Sequence, residues 1–218
     1  MLRFYYNPVS GNARRVWIAL LEKQIPFEPI LVKLDGDQFD YDFTVVNPLQ
    51  RVPVIADNSL RVIESLAILD YLEAKYPSPA LMPSQPEDIA TVRMVEMLVV
   101  NELQPAVMVL TRPLMGLEVE NQKLDVARER ITLVMQFYEK LLDNRSYFVG
   151  AEITLADIVA GISVSFLDRV GFSLETYPRL QAWLEQLAMR ESWQQTTPPP
   201  EVIEAALPNL RKIIERRL

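Results

Sequence analysis

A small α/β domain followed by an all-helical domain is the fold class this sequence predicts. Three observations predict it. Up to Lys75, short apolar runs bounded by Asn, Asp, Ser and Pro alternate with stretches of helical periodicity. Pro77, Pro79, Pro83 and Pro86 then crowd residues 77–87, as in a stiff linker. From residue 88 to 218 only helical spacing persists. The expected division is therefore 1–76, a linker over 77–87, and 88–218.

Each element follows in order. Residues 2–6, Leu-Arg-Phe-Tyr-Tyr, are an aromatic strand stopped by Asn7-Pro8. Val16, Trp17, Leu20 and Leu21 fall on one helical face, which predicts a helix from Ala13 to Lys23. Pro26 closes it, and Pro29 to Lys33 reads as a second strand. A charged stretch from Asp37 to Phe43 is expected to be helical, ending at the turn signal Asn47-Pro48. Val52–Ala56 and Leu60–Ile63 make a hairpin around Asp57-Asn58-Ser59, and a helix runs from Ser65 to Lys75. Downstream helices are expected over 88–110, 123–143, 154–170, 177–190 and 201–216, with Thr154 to Asp157 as a capping box.

The chain has 218 residues, 50% hydrophobic and 23% charged, with a formal net charge of −7. It contains neither cysteine nor histidine. That excludes a disulfide framework, a Cys/His zinc site, a thiolate nucleophile and a Ser-His-Asp triad. A pI near 4.8 argues against nucleic acid, which calls for a basic face. The basic cluster Arg211, Lys212, Arg216 and Arg217 reads as a helix C-terminus suited to the dipole. No signal-peptide shape and no uninterrupted apolar run of about 20 residues is visible, so a cytoplasmic, membrane-free location is expected. No glycine pattern suits a phosphate loop, and no acidic pair suits metal work.

Three constellations could carry chemistry, each with a plainer reading beside it. Ser10 and Asn12 precede Arg14 at a strand-to-helix junction, where free N–H groups favour an anion or are merely capped. Val52-Pro53 predicts an edge strand or a cis turn, with the Val52 main chain free for an extended ligand. Glu64-Ser65 brackets another helix start, where a ligand carboxylate could sit on the helix end and its ammonium on Glu64.

In that order, the three motifs resemble the cytosolic-type glutathione S-transferase superfamily. The matching segments are Tyr6 to Val16, Asn47 to Ile55 and Leu60 to Leu72, and Gly150 to Asp157 is similar to the family's fold-nucleating motif. The resemblance implies an α/β thioredoxin-like N-terminal domain that binds glutathione, plus an all-α C-terminal domain contributing the electrophile site. It implies that Val52, beside a cis Pro53, pairs with the cysteinyl part of glutathione. Glu64 and Ser65 would take its γ-glutamyl end. Gln50 would lie near the glycine carboxylate, with Arg51 as a substitute cation where many members carry Gly-Lys.

For the thiol, the resemblance to serine-type bacterial or cyanobacterial members, including the chi class, makes Ser10 the first candidate. Asn12 assists, and Tyr6 and Arg14 are alternatives. Glutathione is then a co-substrate, no metal is needed, and the partner is an apolar electrophile. Peroxidase or disulfide exchange would be side activities, and a homodimer is the family habit. Met94, Met97, Met108 and Met115 fall where the family's helices wall the electrophile site, and flexible methionines suit irregular ligands. They nevertheless read first as core packing of the helical bundle, and no electrophile-site residue is assigned. A non-enzymatic adaptor or a ligand carrier are the competing readings.

Overall fold

The computed structural model describes residues 1–33 and 35–215, so Arg216 and Arg217 of the terminal basic cluster lie outside the described residues. Its first unit is built on a four-stranded sheet of β1 (Leu2–Tyr6), β2 (Phe27–Leu31), β3 (Val54–Asp57) and β4 (Leu60–Ile63). The order is β2-β1-β3-β4. β2 runs parallel to β1, while β3 is antiparallel to both β1 and β4. Alternation along β1 sends Leu2 and Phe4 to one face and Tyr5 to the other. On the Phe4 face, Tyr6 packs edge-on against Trp17 of α1 (Gly11–Glu22), with ring centroids 4.8 Å apart. Tyr5, Val54 and Ala56 form the opposite core with Val32 and with Phe43 of α2 (Tyr41–Val46). α3 (Ser65–Lys75) packs beside α1.

Of the edge strand and the cis turn expected at Val52-Pro53, the cis turn is the one present. β3 is an inner strand and starts at Val54 rather than Val52, because Pro53 has no N–H to offer a ladder. Pro29 is tolerated because it lies within the edge strand β2, opposite Phe4.

The helical part contains α4 (Pro86–Leu98), which passes through a π turn at Val99–Leu103 into α5 (Gln104–Leu114). By length and composition alone this continuous helix passes the test for a membrane span, although Glu96 and Glu102 interrupt its apolar run. Its Val92, Val95, Val99, Leu103 and Leu110 are nevertheless buried in protein, with α4 packed on α7 and α5 on α6. α6 spans Asn121–Leu142. The helix expected over 154–170 splits into α7 (Leu155–Val164) and a 3-10 turn at Asp168–Val170, which ends at Gly171 with φ 75°. α8 (Pro178–Ala188), α9 (Glu191–Thr196) and α10 (Pro200–Glu215) complete the chain. Met94, Met97 and Met108 are exposed, which overturns their reading as core; Met135 is the buried methionine.

Packing groups the chain differently from its composition. One compact unit comprises Met1–Ala80 together with Glu191–Leu218, and the other comprises Leu81–Arg190.

Candidate functional site

Ser10 ends the turn after β1 and is the N-cap of α1, with φ −84° and ψ 108°. Its Oγ accepts from the Ala13 amide at 3.3 Å. Capping uses the oxygen as an acceptor and leaves the hydroxyl hydrogen without an acceptor among the described residues. The capping and the chemical readings of this serine therefore coexist. The turn itself is held by Asn7, whose side-chain amide donates to Val32 O at 2.8 Å and whose Oδ1 accepts from Val9 N at 3.1 Å.

Asn12 is exposed and accepts from Arg15 Nη1 at 3.0 Å. Arg14 is directed elsewhere. Its Nε donates to Thr196 Oγ1 at 3.2 Å, and Nη2 donates to Thr197 Oγ1 at 2.6 Å and to Trp193 O at 3.3 Å. Burial brings its pKa down to about 10. Tyr6 stacks on Phe4 at 5.3 Å as well as meeting Trp17, so its ring is part of the packing over α1.

The loop between α2 and β3 is organised by Asn47, which is 2% exposed. Its Oδ1 accepts from Leu49 N at 2.9 Å, its Nδ2 donates to Arg51 O at 2.7 Å, and its carbonyl accepts from Gln50 N at 2.9 Å. Gln50 takes the left-handed backbone this tight path needs, with φ 56°. Arg51 is exposed, and Val52 makes no hydrogen bond to another described residue. A main-chain donor and acceptor thus stand free immediately before buried Pro53.

At the start of α3, Glu64 is exposed and has φ 67° and ψ 121°, a region unfavourable to any residue with a Cβ. No side chain caps this helix. Ser65 is buried as a residue, and its hydroxyl has no partner among the described residues. The result is a helix N-terminus with open N–H groups, a free hydroxyl and an adjacent carboxylate. Such a start receives an anion on the helix axis and an ammonium on the carboxylate.

All of these residues belong to the first compact unit. Ser10 and Ser65 sit at the first turns of α1 and α3, which pack on each other, and Val52 enters the strand next to β1. The motif reading overlooks Asn47 as more than a turn residue and overlooks the Trp193–Thr197 partners of Arg14. The Asn47 contact to Leu49 is a local Asx turn, visible in principle from Asn-Pro. The contact across 179 or more residues has no local signal.

Among the described residues no group of three or more Asp or Glu side chains could hold a metal. The family model "Glutathione S-transferase, N-terminal domain" matches residues 4–80, and "Glutathione S-transferase, C-terminal domain" matches 89–191. Maleylacetoacetate isomerase of Rattus norvegicus is 33% identical over 194 residues, covering 87% of this chain and 88% of the relative. The holo structure of a bacterial maleyl pyruvate isomerase, a zeta-class glutathione S-transferase, superposes with a TM-score of 0.76 at 26% identity, over 91% of this chain and 99% of that one. A glutathione transferase homologue from Sulfitobacter with bound glutathione also gives 0.76, at 25% identity over 89% and 96%.

Proposed function

The chain belongs to the glutathione S-transferase family and is an enzyme, and from that premise we propose how its residues work. Glutathione lies extended, its cysteinyl amide and carbonyl pairing with the free main chain of Val52 beside Pro53. Its γ-glutamyl carboxylate takes the open start of α3 and the Ser65 hydroxyl, and its ammonium meets Glu64. Gln50 and Arg51 face the glycine carboxylate. Of the residues Ser10, Asn12 and Arg14, Ser10 is the thiol donor and Asn12 assists it, while Arg14, whose guanidinium meets Trp193, Thr196 and Thr197, does not touch the sulfur.

The observation that carries this reading is the Ser10 hydroxyl, which accepts at the helix cap while its hydrogen remains available. A free thiol has a pKa of about 8.5, so only a few per cent is thiolate at neutral pH. Lowering it by ~2 units takes roughly 2.7 kcal/mol of preferential thiolate stabilisation. One hydrogen bond to a charged sulfur plus a helix N-terminus are of that size. The serine donates and removes no proton. The thiolate then attacks an apolar electrophile, forming a carbon–sulfur bond as a leaving group departs or the adduct is protonated. Glutathione-dependent peroxidase or disulfide exchange would use the same thiolate. A homodimer in a reducing compartment such as the cytoplasm completes the reading.

A second reading has its own support in the 33% identity to a maleylacetoacetate isomerase. Here the thiolate adds to a cis double bond conjugated to carboxylate or ketone, the new single bond rotates, and elimination returns glutathione with the trans product. Product analysis with a maleyl compound separates the two, since isomerisation consumes no glutathione. Ultraviolet pH titration of bound glutathione tests both. A thiol pKa near or below ~7 that rises by ~1 unit in Ser10→Ala, the helix end keeping its share, is expected. Tight binding with an unshifted thiol would make the protein a carrier, and absence of binding would leave the adaptor reading.

A further inference from the structure

Helix α1 is gripped along its length by a segment far away in sequence. At its C-terminal end, Glu22 accepts from the Ser192 hydroxyl. One turn from its start, Arg14 reaches Trp193 O, Thr196 Oγ1 and Thr197 Oγ1. Residues 192–197 therefore run antiparallel to α1, their rise of roughly 7.5 Å and the reach of the side chains together bridging the ~12 Å between Glu22 and Arg14. Trp193 and Thr196 are 4% and 1% exposed, so the inner side of the seam is dry, while Thr197 and its bond from Arg14 lie at the exposed rim. Its acceptors are also fixed in direction. The Thr196 hydroxyl donates to Ser192 O at 2.8 Å and the Thr197 hydroxyl to Trp193 O at 2.7 Å, which turns their lone pairs outward to Arg14. The planar guanidinium fork meets these three acceptors through two of its nitrogens, Nε and Nη2. Finally, the Arg14 amide donates to the Ser10 carbonyl at 2.9 Å, the first intrahelical bond of α1.

We propose that Arg14 is a positioning residue for the thiol chemistry: by locking the first turn of α1 onto Trp193–Thr197, it fixes where the Ser10 hydroxyl stands. The C-terminal segment is then part of the working site, 182 positions from the residue it holds. This rests on the reading of Ser10 as thiol donor. Its physical basis is that a donor displaced by ~1 Å loses much of its effect on a reacting atom.

The test compares the full-length protein with Arg14→Leu, Thr197→Val and Ser10→Ala. Four readouts are taken: the thiol pKa of bound glutathione, kcat/KM with a chromogenic electrophile, the affinity for S-methylglutathione, and the thermal midpoint. Arg14→Leu is expected to raise the thiol pKa by ~0.5–1 unit and to lower kcat/KM about tenfold, with S-methylglutathione affinity held within about twofold. Thr197→Val, which keeps the arginine, should shift the thiol in the same direction by less, and it decides the matter should Arg14→Leu fail to fold. An unchanged thiol pKa with a lowered midpoint reduces Arg14 to a stability clamp and overturns the proposal. If Ser10→Ala leaves the pKa unmoved, the Ser10 reading and this one fall together. If Ser10→Ala raises it and the seam variants do not, only the positioning role falls.

Discussion

The starts of α7 and α3 are made from similar chemistry and end in opposite states. At α7, the Asp157 carboxylate accepts from Thr154 N and Thr154 Oγ1, each at 2.8 Å, and from Phe148 N and Trp183 Nε1, each at 3.0 Å. Trp183 and Tyr138 in turn stack edge-on about Phe148, with centroids 5.0 and 5.1 Å away. Burial pushes the Asp157 carboxyl up even against those four donors. At α3, the carboxylate of Glu64 is exposed and, among the described residues, the Ser65 hydroxyl has no partner and no side chain caps the helix. A polar helix start whose every group is satisfied internally is architecture. One that leaves its groups open on a strained backbone has donors and acceptors available to a ligand, which is the role proposed for Glu64 and Ser65.

The contrast breaks most visibly at Asp157. Asp157→Ala strands buried donors of Phe148, Thr154 and Trp183, and is expected to cost about 4 kcal/mol, read as a large drop in denaturation midpoint. Ser10→Ala should do the reverse. It removes an N-cap worth about 1 kcal/mol yet lowers kcat/KM ~10²-fold, measured with a chromogenic electrophile. Smaller again, Glu64→Gln and Ser65→Ala should each weaken glutathione binding about tenfold by calorimetry while the thermal midpoint holds. Loss of stability in these two with unchanged affinity would make the α3 start architecture after all.

The smallest effect concerns pH. Asp57 is held below the ordinary carboxylate range, first by its hydrogen bond from Lys75 and then by that from Tyr71. The folded state therefore gives up this proton more readily than the unfolded chain. The stabilisation is complete above the unfolded pKa of about 3.9 and is lost as pH falls through the lower folded value. Asp57→Asn should flatten that part of the acid unfolding curve, whereas Asp157, shifted upward, contributes with the opposite sign.

Much of this was legible in the chain. Strands β1 and β4, helix α3 and the Thr154–Asp157 box follow from local pattern, because alternation, caps and prolines act within a few residues. The Ser10, Val52 and Glu64 motifs were legible as turn chemistry and as a family order. Their open or satisfied state was not, because it depends on what the rest of the fold offers. The inner place of β3 needed the pairing with β1, and the exposed Met94, Met97 and Met108 needed the packing of α4 and α5. Arg14 is the sharpest case. Its position one turn from Ser10 suggested chemistry at the thiol, and its guanidinium instead meets Trp193, Thr196 and Thr197.

The sequence by itself determined an α/β unit, a helical remainder, a chemistry without cysteine, histidine or their metal sites, and the hydroxyl and carboxylate groups at two helix starts. These are properties of composition and short-range spacing. Only the tertiary structure decided that residues from Glu191 onward group with the first unit and that Asn47 shapes the approach to Val52. It alone left the Ser65 hydroxyl and the Val52 main chain without a partner among the described residues. A hydrogen bond between residues 182 apart depends on how helices are laid side by side, which no local pattern encodes.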